Sequence, residues 1–181
     1  MSASKVLGDY DSFLKDIIQR VEDAGFDMRD FAQVDHMCYR TVSEENYQNK
    51  KQELESIASL IGTNIVNGRE IAAFRLNEPV YSGDWRVDII ELPAPKPGSD
   101  FPEGLEHIEL VIYDDIPKFL KKYDGMDFEL RAADRGINPE IGLKLGEYQV
   151  KFHLLSLGTV VYLEDKLGIT SVKDGESLPQ T

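Results

Sequence analysis

Apolar side chains at Tyr10, Phe13, Leu14, Ile17, Ile18 and Val21 recur at helical spacing, and Gly25 follows as a stop. The pattern predicts an amphipathic helix over 10–24, with one short turn over 28–31. From Val34 the spacing changes to alternation, which predicts a strand over 34–41. Ser43, with Glu44 and Glu45 behind it, caps a helix whose apolar face is Tyr47, Leu54, Ile57, Ala58 and Ile61 and whose stop is Gly62. Strands over 63–66 and 69–76 flank Asn67-Gly68, the strongest two-residue hairpin signal. Past Glu78-Pro79 and Ser82-Gly83, a strand over 85–92 completes the unit.

Pro93, Pro95, Pro97, Gly98 and Pro102 then form a linker that no regular element tolerates. Beyond it the order restarts. A strand over 105–112 leads into a helix capped by Asp114, with Phe119, Leu120 and Tyr123 on one face. A strand over 128–132 follows, then a hairpin of 141–145 and 148–155 around Gly146-Glu147. A weak apolar run at 160–163 and a polar tail after Ile169 close the chain. The fold class is therefore α+β, with a βαβββ unit present twice. The expected division is a helical arm at 1–33, a paired domain at 34–156 (units 34–93 and 104–156), and an extension at 157–181.

Polar residues interrupt the strands at matched places. In 105–112, Ile108, Leu110 and Ile112 share one face, and the alternation puts His107 and Glu109 on the other with Leu105 and Val111. A buried His and Glu are costly unless something pairs them. The chain has three histidines, His36, His107 and His153, and each falls in a predicted strand. Asp35-His36 opens the first unit as Glu106-His107 opens the second; Glu91 lies late in the last strand of unit one and His153 late in that of unit two. Three imidazoles and a carboxylate from four strands form a divalent transition-metal set, provided the strands converge.

A net charge of −13 argues against nucleic acid and anionic membrane surfaces as partners. One Cys excludes an internal disulfide, and Cys38 reads as a small apolar filler. No leader pattern and no apolar stretch of about 18 residues occurs, so the expectation is a cytoplasmic monomer or homodimer.

Asp35-His36, Asn67-Gly68-Arg69, Glu91-Leu92-Pro93, Glu106-His107-Ile108-Glu109 and Lys151-Phe152-His153, in this order, resemble the YecM-like branch of the vicinal oxygen chelate superfamily, which includes glyoxalase I, bleomycin-resistance proteins and extradiol dioxygenases. The resemblance runs over about 34–156. It implies an incomplete barrel, a glyoxalase-like cup, to which the helix expected at 10–24 is an extra N-terminal element outside the resemblance. It also implies one divalent ion (Fe2+, Mn2+, Ni2+ or Zn2+) held by His36, Glu91, His107 and His153. Such proteins act as isomerases, lyases or dioxygenases on a small-molecule substrate bound through two adjacent oxygens. Glu109 is then an orienting group or a general base, and Arg40 and Arg69 are candidates for gripping substrate. The alternative is a non-catalytic metal- or small-ligand-binding protein of the same fold.

Overall fold

The computed structural model describes residues 1–96, 98 and 102–172. Helix α1 (Ala3–Leu7) precedes α2 (Tyr10–Asp23), whose Phe13, Leu14, Ile17, Ile18 and Val21 are buried as the helical spacing requires. A 3-10 turn at Met28–Asp30 leads to β1 (Phe31–Arg40), α3 (Glu44–Glu55), β2 (Ala58–Val66), β3 (Arg69–Ser82) and β4 (Trp85–Pro93). The second unit is β5 (Gly104–Ile112), α4 (Ile116–Lys122), β6 (Glu129–Ala132), β7 (Glu140–Leu145) and β8 (Tyr148–His153). Helix α5 (Leu157–Leu167) and β9 (Ser171–Val172) follow.

The nine strands form one sheet in the order β6-β7-β8-β5-β1-β4-β3-β2-β9. Each unit contributes four strands in mirrored order, and the antiparallel pair of β1 and β5 joins them. The sheet curls without closing. One face carries the core, including Met37, Phe74, Ile90, Ile108, Leu110, Val150 and Phe152, against α2, α3 and α4. Phe152 lies among Phe26, Phe31, Phe119 and Phe128, with ring centroids 5.1–5.9 Å away. The other face lines a cavity of about 1520 Å³.

Several local expectations change; α4, for one, is capped by Asp115, which accepts from the Lys118 N–H, and not by Asp114. The helix expected to run to Gly62 ends at Glu55, and 58–66 is β2. Asn67 and Gly68 both have positive φ, 50° and 79°, which makes a type I′ turn. That turn zips β2 onto β3 from Val66–Arg69 back to Ala58–Leu76, and the ladder outweighs the helical spacing of Ile57, Ala58 and Ile61. The break expected at Glu78-Pro79 is a register shift within a continuous β3, a place where a sheet accepts proline. The run at 160–163 is part of α5, which crosses back to β2 and forms a wall of the cavity. The crossing of the proline-rich linker includes Pro97 and 99–101, and the tail includes 173–181; both lie outside the described residues.

Candidate metal centre

Strands β1 and β5 are both bulged. Val34 pairs with Leu110 and His36 with Glu109, which leaves Asp35 as an extra residue; Cys38 pairs with His107 and Tyr39 with Leu105, which leaves Glu106 extra. A bulge suspends alternation and re-aims side chains. Each carboxylate thereby turns back onto the imidazole that follows it. His36 Nδ1 is 2.9 Å from Asp35 Oδ2, and His107 Nδ1 is 2.8 Å from Glu106 Oε2. The bulge also corrects one facing: Leu105 packs against the core and does not share the His107 face.

His153 is oriented by other means. Its Nδ1 is 2.6 Å from the Leu155 carbonyl, and the Asn138 amide closes the loop by donating to that carbonyl and accepting from the Leu154 and Leu155 N–H groups. With every Nδ1 held by an acceptor, the neutral tautomer leaves the lone pair on Nε2. All three Nε2 atoms are buried without a hydrogen-bond partner, and they face one carboxylate. Glu109 Oε1 is 3.4 Å from His36 Nε2 and 3.4 Å from His107 Nε2, and Oε2 is 3.4 Å from His153 Nε2. Glu91 Oε2 stands 3.8 Å from His107 Nε2.

So the structure brings His36, His107, His153, Glu91 and Glu109 into one cup, with Glu109 at its centre. The donor set fits a divalent ion, because orphaned imidazole nitrogens around a carboxylate are costly until something bridges them. Asp35, His36 and His153, and likewise His36, Glu91 and Glu109, offer ligand atoms within 4.8 Å of one another. Such a buried His/Asp/Glu cluster has metal-binding composition.

The strand register also corrects the match between units. Glu91 pairs with Cys38 and Lys151 with Glu109, so the counterpart of Glu91 is Lys151; His153, opposite Val111, lies two residues further on. In the sequence Lys151 figures only within the Lys151-Phe152-His153 block, with no role of its own. Its inward position on a strand was the available signal. Lys151 Nζ donates to Glu109 Oε1 at 2.7 Å and lies 3.4 Å from Glu140. Burial alone would lower the lysine, but Glu109 and Glu140 hold it well above its ordinary value. Burial alone would raise Glu109, but Lys151 and His36 hold it well below the carboxylate range. Burial likewise opposes charge on His36, and the Glu109 and Asp35 carboxylates outweigh it, so this imidazole is raised well above its usual value. Cys38, opposite His107 in the ladder, is fully buried, and burial pushes its thiol up.

Arg40 Nε donates to Glu106, so one carboxylate touches both Arg40 and His107. Arg69 is half-buried on the cavity wall and donates to the Ala94 carbonyl at 3.3 Å. Burial, and then the neighbouring Arg40 charge, lower its guanidinium from the ordinary value. No helix among the described residues is long and apolar enough to cross a membrane.

Protein YecM of Escherichia coli (strain K12) is 29% identical to the chain over 146 residues, 72% of this chain and 77% of that one. The structural-genomics Protein EC4020 superposes with a TM-score of 0.71 at 23% identity, covering 91% of this chain and 97% of its own. Methylmalonyl-CoA epimerase from Mycobacterium tuberculosis superposes with a TM-score of 0.53 at 13% identity, covering 75% and 95% respectively. The two structural likenesses concern the fold alone, and it is the glyoxalase-like fold of paired βαβββ units. The family model of YecM protein matches residues 2–126, more than half of the sequence, and the chain belongs to the YecM family.

Proposed function

We propose that the chain is a divalent-metal-dependent enzyme of the vicinal oxygen chelate superfamily, acting as an isomerase, lyase or dioxygenase on a small oxygen-rich substrate held in the cup through two adjacent oxygens. The observation that carries this reading is the trio of buried Nε2 atoms, each with its Nδ1 already engaged and each 3.4 Å from Glu109. His36, His107 and His153 would hold the ion. The position of Glu109 at their common centre supports giving it the carboxylate ligand place that sequence reasoning offered to Glu91. Glu91 then takes the proton-accepting role beside the open side of the centre. Asp35, Glu106 and the Leu155 carbonyl keep the three rings aimed, and Lys151 keeps Glu109 ionised. A bound divalent ion would supply Lewis-acid stabilisation of negative charge on substrate oxygen.

Elemental analysis of protein purified without chelators tests the first half. One ion per chain is expected, with loss in His36→Ala and His107→Ala; unchanged content in both variants sinks the assignment. Spectroscopy of cobalt-substituted protein tests the second half. Four protein ligands on an octahedral ion leave two positions, and chelation of two vicinal oxygens requires that they be adjacent, so an added hydroxamate should alter the spectrum. A closed tetrahedral spectrum, insensitive to hydroxamate, supports the alternative of a sequestering protein. One observation favours that alternative: the central carboxylate is already ion-paired to Lys151 at 2.7 Å.

A further inference from the structure

Helix α5 runs from the end of β8 to β9 beside β2, and its Leu157, Gly158, Val160 and Val161 line the cavity. It is rich in apolar residues, yet none of its eleven residues is fully buried, and Tyr162 and Leu167 are 60% and 58% exposed. An element with so little buried apolar contact belongs to the easily opened part of a fold. Its far end has a short clasp: β9 pairs with β2 at Ile65 and Val66, and the Ile65 N–H donates to the Thr170 carbonyl at 3.0 Å. Its near end is held more firmly. Asn138 accepts from the Leu154 and Leu155 N–H groups, and the Leu157 N–H donates to Asp35 Oδ2 at 2.7 Å.

That last contact joins the helix to the metal centre. Asp35 Oδ2 is the same oxygen that lies 2.9 Å from His36 Nδ1, while Oδ1 accepts from the Gln33 amide at 2.7 Å. The Asp35 side chain is buried, so bulk water does not replace a donor that leaves. Without the Leu157 N–H the carboxylate is left under-satisfied and freer to turn, and His36 loses part of its aim. Conversely, when His36 Nε2 holds an ion, its Nδ1–H is a stronger donor and fixes Asp35 where α5 docks on it. Resting on the metal-centre reading above, we propose that α5 is a strap across the cup whose seating is coupled to metal occupancy. The main-chain N–H of Leu157 is the positioning group, and it acts through Asp35. A seated strap and a filled centre favour each other, by the same factor in both directions. The cup is therefore walled when the centre is loaded and easier to enter when it is empty.

Leu157→Pro deletes the donor and little else of the backbone. Position 157 is the first of the helix, where proline is favoured, and Ser156 is already extended at φ −61° and ψ 149°, as a residue before proline should be. Leu157→Ala loses the side chain, keeps the N–H and serves as the reference. Two measurements on the whole chain make the test: Mn2+ affinity by competition with a chelating dye, and hydrogen exchange of the α5 amides with and without Mn2+. Leu157→Pro should bind Mn2+ about fivefold more weakly than Leu157→Ala. Saturating Mn2+ should slow α5 exchange in the wild type by about the same factor and leave it unchanged in Leu157→Pro. Equal affinities in the two variants, or α5 exchange that responds alike in wild type and Leu157→Pro, overturns the coupling. So does wild-type α5 exchange that ignores Mn2+, a result that stands even if Leu157→Pro fails to fold. His107→Ala separates the two readings: Mn2+ that binds the wild type and not this variant keeps the centre whatever α5 does, whereas Mn2+ that binds neither sinks both.

Discussion

Glu109→Gln probes the centre of the cup most directly, and its cost can be worked from distances. Glu109 Oε1 lies 2.7 Å from Lys151 Nζ, with three imidazole nitrogens at 3.4 Å. At an effective dielectric of about 20, the Lys151 contact alone carries roughly 6 kcal/mol of gross Coulomb attraction, most of it offset by desolvation of the two ions. Removing one partner of such a pair costs about 3–5 kcal/mol. Lys151 keeps Glu140 at 3.4 Å, so the expected loss for metal-free Glu109→Gln is near the lower end, about 3 kcal/mol by urea unfolding. Lys151→Met should cost a similar amount. The double variant should cost less than the two together, by about 2 kcal/mol, because both members of the Glu109–Lys151 pair are then removed at once and neither is left facing the gap of the other. Metal gives a second reading. Free Mn2+ at a hundred times its dissociation constant should stabilise the wild type by about 2.7 kcal/mol. If the variant binds a hundredfold more weakly, the same metal adds only about 0.4 kcal/mol to it. A Glu109→Gln protein as stable as wild type, or one gaining the same increment from Mn2+, would refute the placement of Glu109 at the hub.

Further expectations follow from other parts of the structure. Asp35→Asn should weaken metal binding by about 10–100-fold in a competition assay, because it removes the carboxylate that orients His36. Phe152→Ala should lower unfolding free energy by about 3–5 kcal/mol, since the ring is fully buried among four others. Tyr47→Phe tests pH dependence: the Tyr47 hydroxyl donates to Glu70 Oε1 at 2.6 Å, and with Lys51 it holds the Glu70 pKa below its ordinary 4.5. A depressed carboxylate contributes stability above that value and loses it as pH falls below. The wild-type advantage over Tyr47→Phe, about 1 kcal/mol at neutral pH after allowance for solvent screening, should therefore shrink as pH falls from 5 to 3. An advantage that grows on acidification would contradict the assigned hydrogen bond.

The three histidines were legible because a strand's alternation makes an inward imidazole conspicuous, and the doubled βαβββ order because Asn67-Gly68 and the proline-rich linker punctuate it. The pairing offsets were not legible. Whether Glu91 answers to Lys151 or to His153 depends on how β4 and β8 slide against their neighbours, which tertiary packing decides. Helix α5 was faint for another reason: none of its residues is fully buried, so its apolar stripe is weak.

The bulges have a consequence for insertions and deletions. Counting along β1, Val34 and His36 have the same parity, yet one faces the core and the other the cup; Leu105 and His107 stand in the same relation on β5. Asp35 and Glu106 are the residues at which odd and even exchange meaning. Deleting either would mend the hydrogen-bond ladder and at the same time turn every upstream side chain of that strand over. Removal of Glu106 would thus point Leu105 into the cup, or else push His107 into the core. A loop absorbs the loss of one residue as slack, whereas these two strands would register it as an inversion. Single-residue deletions should therefore be tolerated in the loop between α4 and β6, at the exposed Asp124 or Asp127, and rejected at 35 and 106, although the chain is shortened equally in each case.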